Sequence, residues 1–107
     1  MNNFTKALLI GLIAGLVDAI PMIIQGFDGY ASLSAFTHWI ILGLIIPFVK
    51  WNIAPWLKGL LIGELAALPI MIIVFKEEPF SLIPIALFSA VLGTLVGITG
   101  AKFIKTQ

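Results

Sequence analysis

The chain is 107 residues long, 61% hydrophobic and only 10% charged, with no cysteine, no arginine and a single histidine. Soluble domains use about 45–50% apolar and about 25% charged residues, and so short a chain has too little interior to hide such an excess. Lipid is therefore the expected solvent. The net charge of +1 points to no particular partner. The lack of forked guanidinium donors argues against phosphate and nucleic-acid recognition, and with no thiol and one imidazole neither a disulfide, a metal cage nor a haem ligand pair is expected. No cofactor is implied.

A helix crossing about 30 Å of hydrocarbon needs about 20 mostly apolar residues. Four segments meet that length, at about 4–25, 35–51, 55–75 and 82–103. In the first, Lys6 precedes the apolar run in the manner of a signal peptide. Its apolar run continues to Ile24 without a small-x-small cleavage pattern, so a retained helix is expected. The breaks carry turn chemistry: Gly26-Phe27-Asp28-Gly29, Trp51-Asn52-Ile53-Ala54-Pro55 and Lys76-Glu77-Glu78-Pro79. Ser34, Asn52 and Ser81 are expected helix N-caps, and Pro55 and Pro84 fit first turns, where backbone donors have no partner within the helix. The predicted fold is an all-α, integral membrane four-helix bundle in a single domain.

Lysine placement orients it. Lys6, Lys50, Lys58, Lys102 and Lys105 all fall at one end of an up-and-down bundle, and the other end has only Lys76, beside Asp28, Glu77 and Glu78. The positive-inside rule then places both termini and the middle turn in the cytoplasm. The cell's inner (plasma) membrane is the expected location.

The halves resemble each other. Lys6-Ala-Leu-Leu-Ile-Gly11 matches Lys58-Gly-Leu-Leu-Ile-Gly63 at five of six positions, Phe27 matches Phe75, Ser32-Leu33 matches Ser81-Leu82, and Leu42-Gly43 matches Leu92-Gly93. The offset moves from 52 to 48 within the first helix of each unit and then to 50; a loss of four residues is about one helical turn and keeps the same face. Repeat units 1–51 and 52–107 are predicted, as two helical hairpins running in the same direction about an axis along the membrane normal.

Asp18 is the leading candidate for chemistry, because a carboxyl near mid-membrane costs several kcal/mol. It shares a helical stripe with Gly11, Gly15, Met22 and Gln25, which should face protein. Glu64 is expected to be its counterpart in the third span. Each acid adjoins a carbonyl freed by a proline: Pro21 frees Val17, and Pro69 frees Leu65. Such carbonyls suit a carboxyl proton or a cation. With Pro47 in the second span, these prolines are predicted kinks. His38 lies within about one turn of the depth of Asp18 and titrates near neutral pH, so it fits a proton site opening outward. The alternative is an interfacial histidine beside Trp39, in a belt with Tyr30 outside and Trp51 and Trp56 inside.

Gly11, Gly15, Gly59, Gly63, Gly93, Gly97 and Gly100 recur at spacings that let helix backbones approach. Four helices leave much surface for lipid and enclose almost no pore, so a homodimer is expected. No catalytic motif is present, and an enzyme is not expected. Two functions fit: a small proton- or cation-linked carrier or channel using Asp18, Glu64 and His38, or an accessory membrane subunit whose acids and glycines lock helices together.

Overall fold

A computed structural model describes residues 2–26 and 28–104, apart from the side chains of Glu77 and Ser81. The expectations for Phe27 and Lys105 therefore fall outside the described residues. The chain forms four helices: α1 (Asn3–Ile24), α2 (Gly29–Ile45), α3 (Pro55–Glu77) and α4 (Leu82–Phe103), with short 3-10 turns at Ile46–Phe48 and Pro79–Ser81. All four are long and apolar enough to cross a membrane, α2 when its 3-10 extension to Phe48 is included.

The helix ends follow from local chemistry. Asn2 caps α1 by accepting from the Thr5 amide at 2.8 Å. At its other end Gly26 takes φ +84°, a left-handed conformation that costs glycine little and stops the helix. The second span differs most from expectation. It starts at Gly29, six positions before 35, because Asp28 caps it by accepting from the Tyr30 amide at 3.3 Å. Ser34 is thus inside the helix and is no cap. Pro47 does not kink α2; it sits in the 3-10 turn that ends it. Pro21 and Pro69 lie inside α1 and α3, which continue through them.

Asn52 is not a cap either: Ala54 precedes Pro55 at the start of α3 with no side-chain bond, and position 52 belongs to a turn closed by the Ile53 amide on the Trp51 carbonyl at 2.8 Å. Ser81 ends the 3-10 turn that leads into α4.

The helices pair as two hairpins, α1 with α2 and α3 with α4, each closed by glycine. A methyl on Gly43 would come within 2.5 Å of the Gly11 Cα and 3.0 Å of the Ala7 carbonyl oxygen. One on Gly93 would come within 2.5 Å of the Gly59 carbonyl oxygen and 3.5 Å of the Gly63 Cα. Gly15 meets Phe36, Gly59 the Gly93 carbonyl, and Gly97 the carbonyl of Pro55. Gly11, Gly15, Gly59, Gly63, Gly93 and Gly97 each lie against the backbone of a neighbouring helix.

The hairpins meet in a core of Ala14, Trp39, Leu42, Ile46, Leu92 and Val96. Gly100 rests on the Pro47 ring, where a methyl would come within 2.9 Å. Two lysines cross between hairpins: Lys6 Nζ donates to the Phe103 carbonyl at 3.0 Å, and Lys58 Nζ to the Val49 carbonyl at 3.0 Å. Each satisfies a carbonyl left open where a helix ends. The bundle is flat, with Cα extents of 42 × 25 × 16 Å; the shortest is about two helix layers.

Candidate functional site

Asp18 lies seven residues beyond Gly11 on α1. Seven residues are almost two full turns, so its side chain stays on the glycine stripe that faces α2. There Trp39 Nε1 donates to Asp18 Oδ2 at 2.9 Å. Trp39 is only 1% exposed, and its ring reaches across to Gly63, with 3.8 Å between its Cη2 and the position of a methyl there. One indole therefore ties the acid of α1 to the backbone of α3.

This corrects the placing of Trp39 in an interfacial belt. Because α2 starts at Gly29, Trp39 is ten residues into it, about 15 Å from that end. Trp51, Trp56 and Tyr30 are 43%, 48% and 83% exposed, as a belt requires. The signal that could have found the pair is chemical: a carboxyl on a packed stripe needs a donor, and an indole N–H needs an acceptor once buried.

His38 is half-buried, and its ring meets that of Trp39 edge-on with centroids 5.3 Å apart. Asp18 bonds the same indole, so these two predicted residues both adjoin Trp39. His38 also lines a groove of about 490 Å³ whose other walls are Tyr30, Leu33, Ser34, Thr37 and Ile41. All of these belong to α2, and the groove is open to the outside of the bundle. Asp18 is itself half-buried, with one oxygen held by Trp39.

Glu64 does not join this site. It follows Gly63 by one residue, which turns it about 100° away from the glycine stripe of α3. Counted from the matched glycines Gly11 and Gly63, it stands six residues, about 9 Å, short of the level of Asp18. Glu64 is thus not the positional counterpart of Asp18. Its Oε1 is buried without a hydrogen-bond partner, and its helical neighbours Leu61, Leu65 and Leu68 are exposed.

The arrangement offers a carboxyl and an imidazole that both adjoin one buried indole, which fixes one carboxylate oxygen. Among the described residues no three histidine, aspartate or glutamate side chains come together as a metal-binding group. No protein-family model matches the chain, and neither a curated protein nor a solved structure similar to it was found.

Proposed function

We propose that this chain is a multi-pass protein of the plasma membrane in which Asp18 and His38 form a proton- or cation-binding site reached from the outer face, serving a small carrier or channel. Several features support the membrane setting. The bundle is 42 Å long, close to the roughly 40–45 Å of a bilayer with its headgroups. Lys6, Lys58 and Lys102 belong to one end, the cytoplasmic one by the positive-inside rule.

The contacts also favour a duplicated hairpin. Gly43 on Gly11 and the Ala7 carbonyl parallels Gly93 on Gly63 and the Gly59 carbonyl, and Gly11 on the Trp39 carbonyl parallels Gly63 on that of Ser89. The acid and the indole break this likeness, since position 89 carries a serine where position 39 carries tryptophan. A site confined to one half of a repeat is what specialisation after duplication would leave.

The observation that carries the functional reading is the half-open carboxyl of Asp18. One oxygen is fixed by Trp39, whose ring also meets His38 at the edge of a groove open to the outside of the bundle. A charge held at that depth without a role would be costly. A second reading, an accessory subunit without transport, is favoured by the same hydrogen bond, since Asp18 holds Trp39, a large and fully buried side chain of the core.

Asparagine at position 18 separates the two. Asp18→Asn keeps an oxygen to accept from Trp39 and removes titration. Purified protein in liposomes, with a potassium–valinomycin potential and an internal pH dye or sodium dye, is expected to show flux in the parent and only protein-free background in Asp18→Asn. Glu64→Gln, off the stripe and at another level, is expected to keep the flux. A parent that moves neither ion above background would overturn the carrier and leave the accessory role.

A further inference from the structure

Inside each hairpin the helices meet backbone to backbone at glycines, Gly11 against Trp39 and Ile40, Gly59 against Gly93 and Gly97. Between the hairpins side chains make the contact: the Trp39 ring reaching Gly63, the Pro47 ring on Gly100, and the apolar core. Two helix pairs, each locked internally and joined through side chains, are suited to move against each other as rigid bodies.

The joint is uneven along the helices. Its core reaches no further outward than Ala14 on α1, Trp39 on α2, Ala66 on α3 and Leu92 on α4, each about half-way along its helix. Its other members, among them Leu42, Ile46 and Val96, lie on the lysine-bearing side of these. Further out, Ile20, Leu33, Ile70 and Leu87 are all exposed. Asp18, about one turn outward of Ala14, stands where the joint ends.

At the lysine-bearing end two bonds answer each other. Lys6, in the first helix of one hairpin, donates to the Phe103 carbonyl at the end of the second helix of the other, at 3.0 Å. Lys58, in the first helix of the second hairpin, donates at 3.0 Å to the Val49 carbonyl, just past the turn that ends α2. The two lysines also correspond in the sequence, opening the matched segments that close at Gly11 and Gly63. Each sets a cation on a carbonyl at the C-terminal end of helical backbone, where positive charge is favoured.

We infer that this reciprocal pair of lysine bonds is a clasp that shuts the cytoplasmic end of the joint, so that its release lets the hairpins part there and opens the Asp18 site inward. This rests on the carrier reading above. A path that reaches Asp18 from outside has Leu42, Ile46, Leu92 and Val96 beneath it, and parting the hairpins clears them. Rocking one repeat against another around a site at mid-membrane exposes that site to each side in turn.

The chain has no cysteine, so single cysteines report opening directly. Val96→Cys, at a core position only 2% exposed, reads the joint; Ser32→Cys, at a position 4% exposed near the opposite end of the bundle, reads general loosening. In lipid nanodiscs a water-soluble maleimide reaches both faces. Lys6→Met combined with Lys58→Met keeps side-chain length and removes both donors. It is expected to speed labelling of Val96→Cys about tenfold, the shift that two modest hydrogen bonds allow, and to leave Ser32→Cys unchanged. Lys6→Arg combined with Lys58→Arg keeps charge and donors and is expected to label like the parent. Lys58→Met alone should give a smaller rise, and it decides by the same criterion if the double variant does not assemble. No rise at Val96→Cys, an equal rise at Ser32→Cys, or arginine variants as fast as the methionine ones would each overturn the clasp. Ion flux judges the carrier separately. A parent that moves no ion refutes the transport path whatever Val96→Cys reports, and a parent with flux whose labelling ignores Lys6 and Lys58 refutes only the clasp.

Discussion

Replacing Trp39 by alanine is expected to remove about 3–5 kcal/mol of stability, the usual cost of deleting a buried aromatic side chain. The ring is 1% exposed and touches both hairpins, so its loss leaves a void that neither can fill alone. The transfer part of that cost shrinks if the disordered state stays in lipid, which favours the lower end. Its hydrogen bond to Asp18 is a smaller matter, because bonds between membrane helices average about 0.6 kcal/mol. Trp39→Phe, which keeps most of the volume and loses the N–H, should therefore cost only about 1 kcal/mol. Unfolding midpoints in mixed detergent–SDS micelles check the order, alanine well below phenylalanine and phenylalanine slightly below the parent. Equal losses in both variants would mean that the hydrogen bond, not packing, holds the centre.

The second large effect is expected at the α3–α4 crossing. A methyl on Gly93 already reaches within 2.5 Å of the Gly59 carbonyl oxygen, and that obstacle is backbone, which cannot swing aside. Overpacking of this kind costs about 1–3 kcal/mol, so Gly93→Ala should fall in that range, and Gly93→Leu should separate the hairpin altogether. Gly29 supplies the control, since nothing lies within 4 Å of a methyl there; Gly29→Ala should stay within about 0.5 kcal/mol of the parent. The same micelle titration reads all three. A leucine at 93 that melts like the parent would mean that the helices do not cross at these glycines.

Much of this fold could be read from apolar run length alone. The expected spans 4–25, 55–75 and 82–103 lie within two residues of α1, α3 and α4 at every end. The second span was misjudged because Gly29, Tyr30, Ser32 and Ser34 dilute its hydrophobicity, and only the cap at Asp28 marks its true start. That error carried Trp39 from the core to the membrane surface.

Glycine spacing identified which residues meet other helices without naming their partners, since a small residue permits an approach from any neighbour. The pairing of Gly11 with Gly43 and of Gly59 with Gly93 emerges only from the hairpins. Asp18 stood out by its cost in lipid, whereas its donor did not, because the contact joins positions 18 and 39 on separate helices. That Glu64 and Asp18 lie on different faces was present in their spacing from Gly63 and Gly11, one residue against seven. The groove on α2 was hidden by the late start assigned to that helix.

The proposal that four helices cross a bilayer with their lysine-bearing end inside is tested most directly by single-cysteine labelling in intact cells. Phe80, 87% exposed at the opposite end, and Asn52, exposed in the turn between α2 and α3, are suitable positions. A membrane-impermeant maleimide should label Phe80→Cys on whole cells and Asn52→Cys only after lysis. Labelling of Asn52→Cys on whole cells, or recovery of the chain in the soluble fraction, would contradict it.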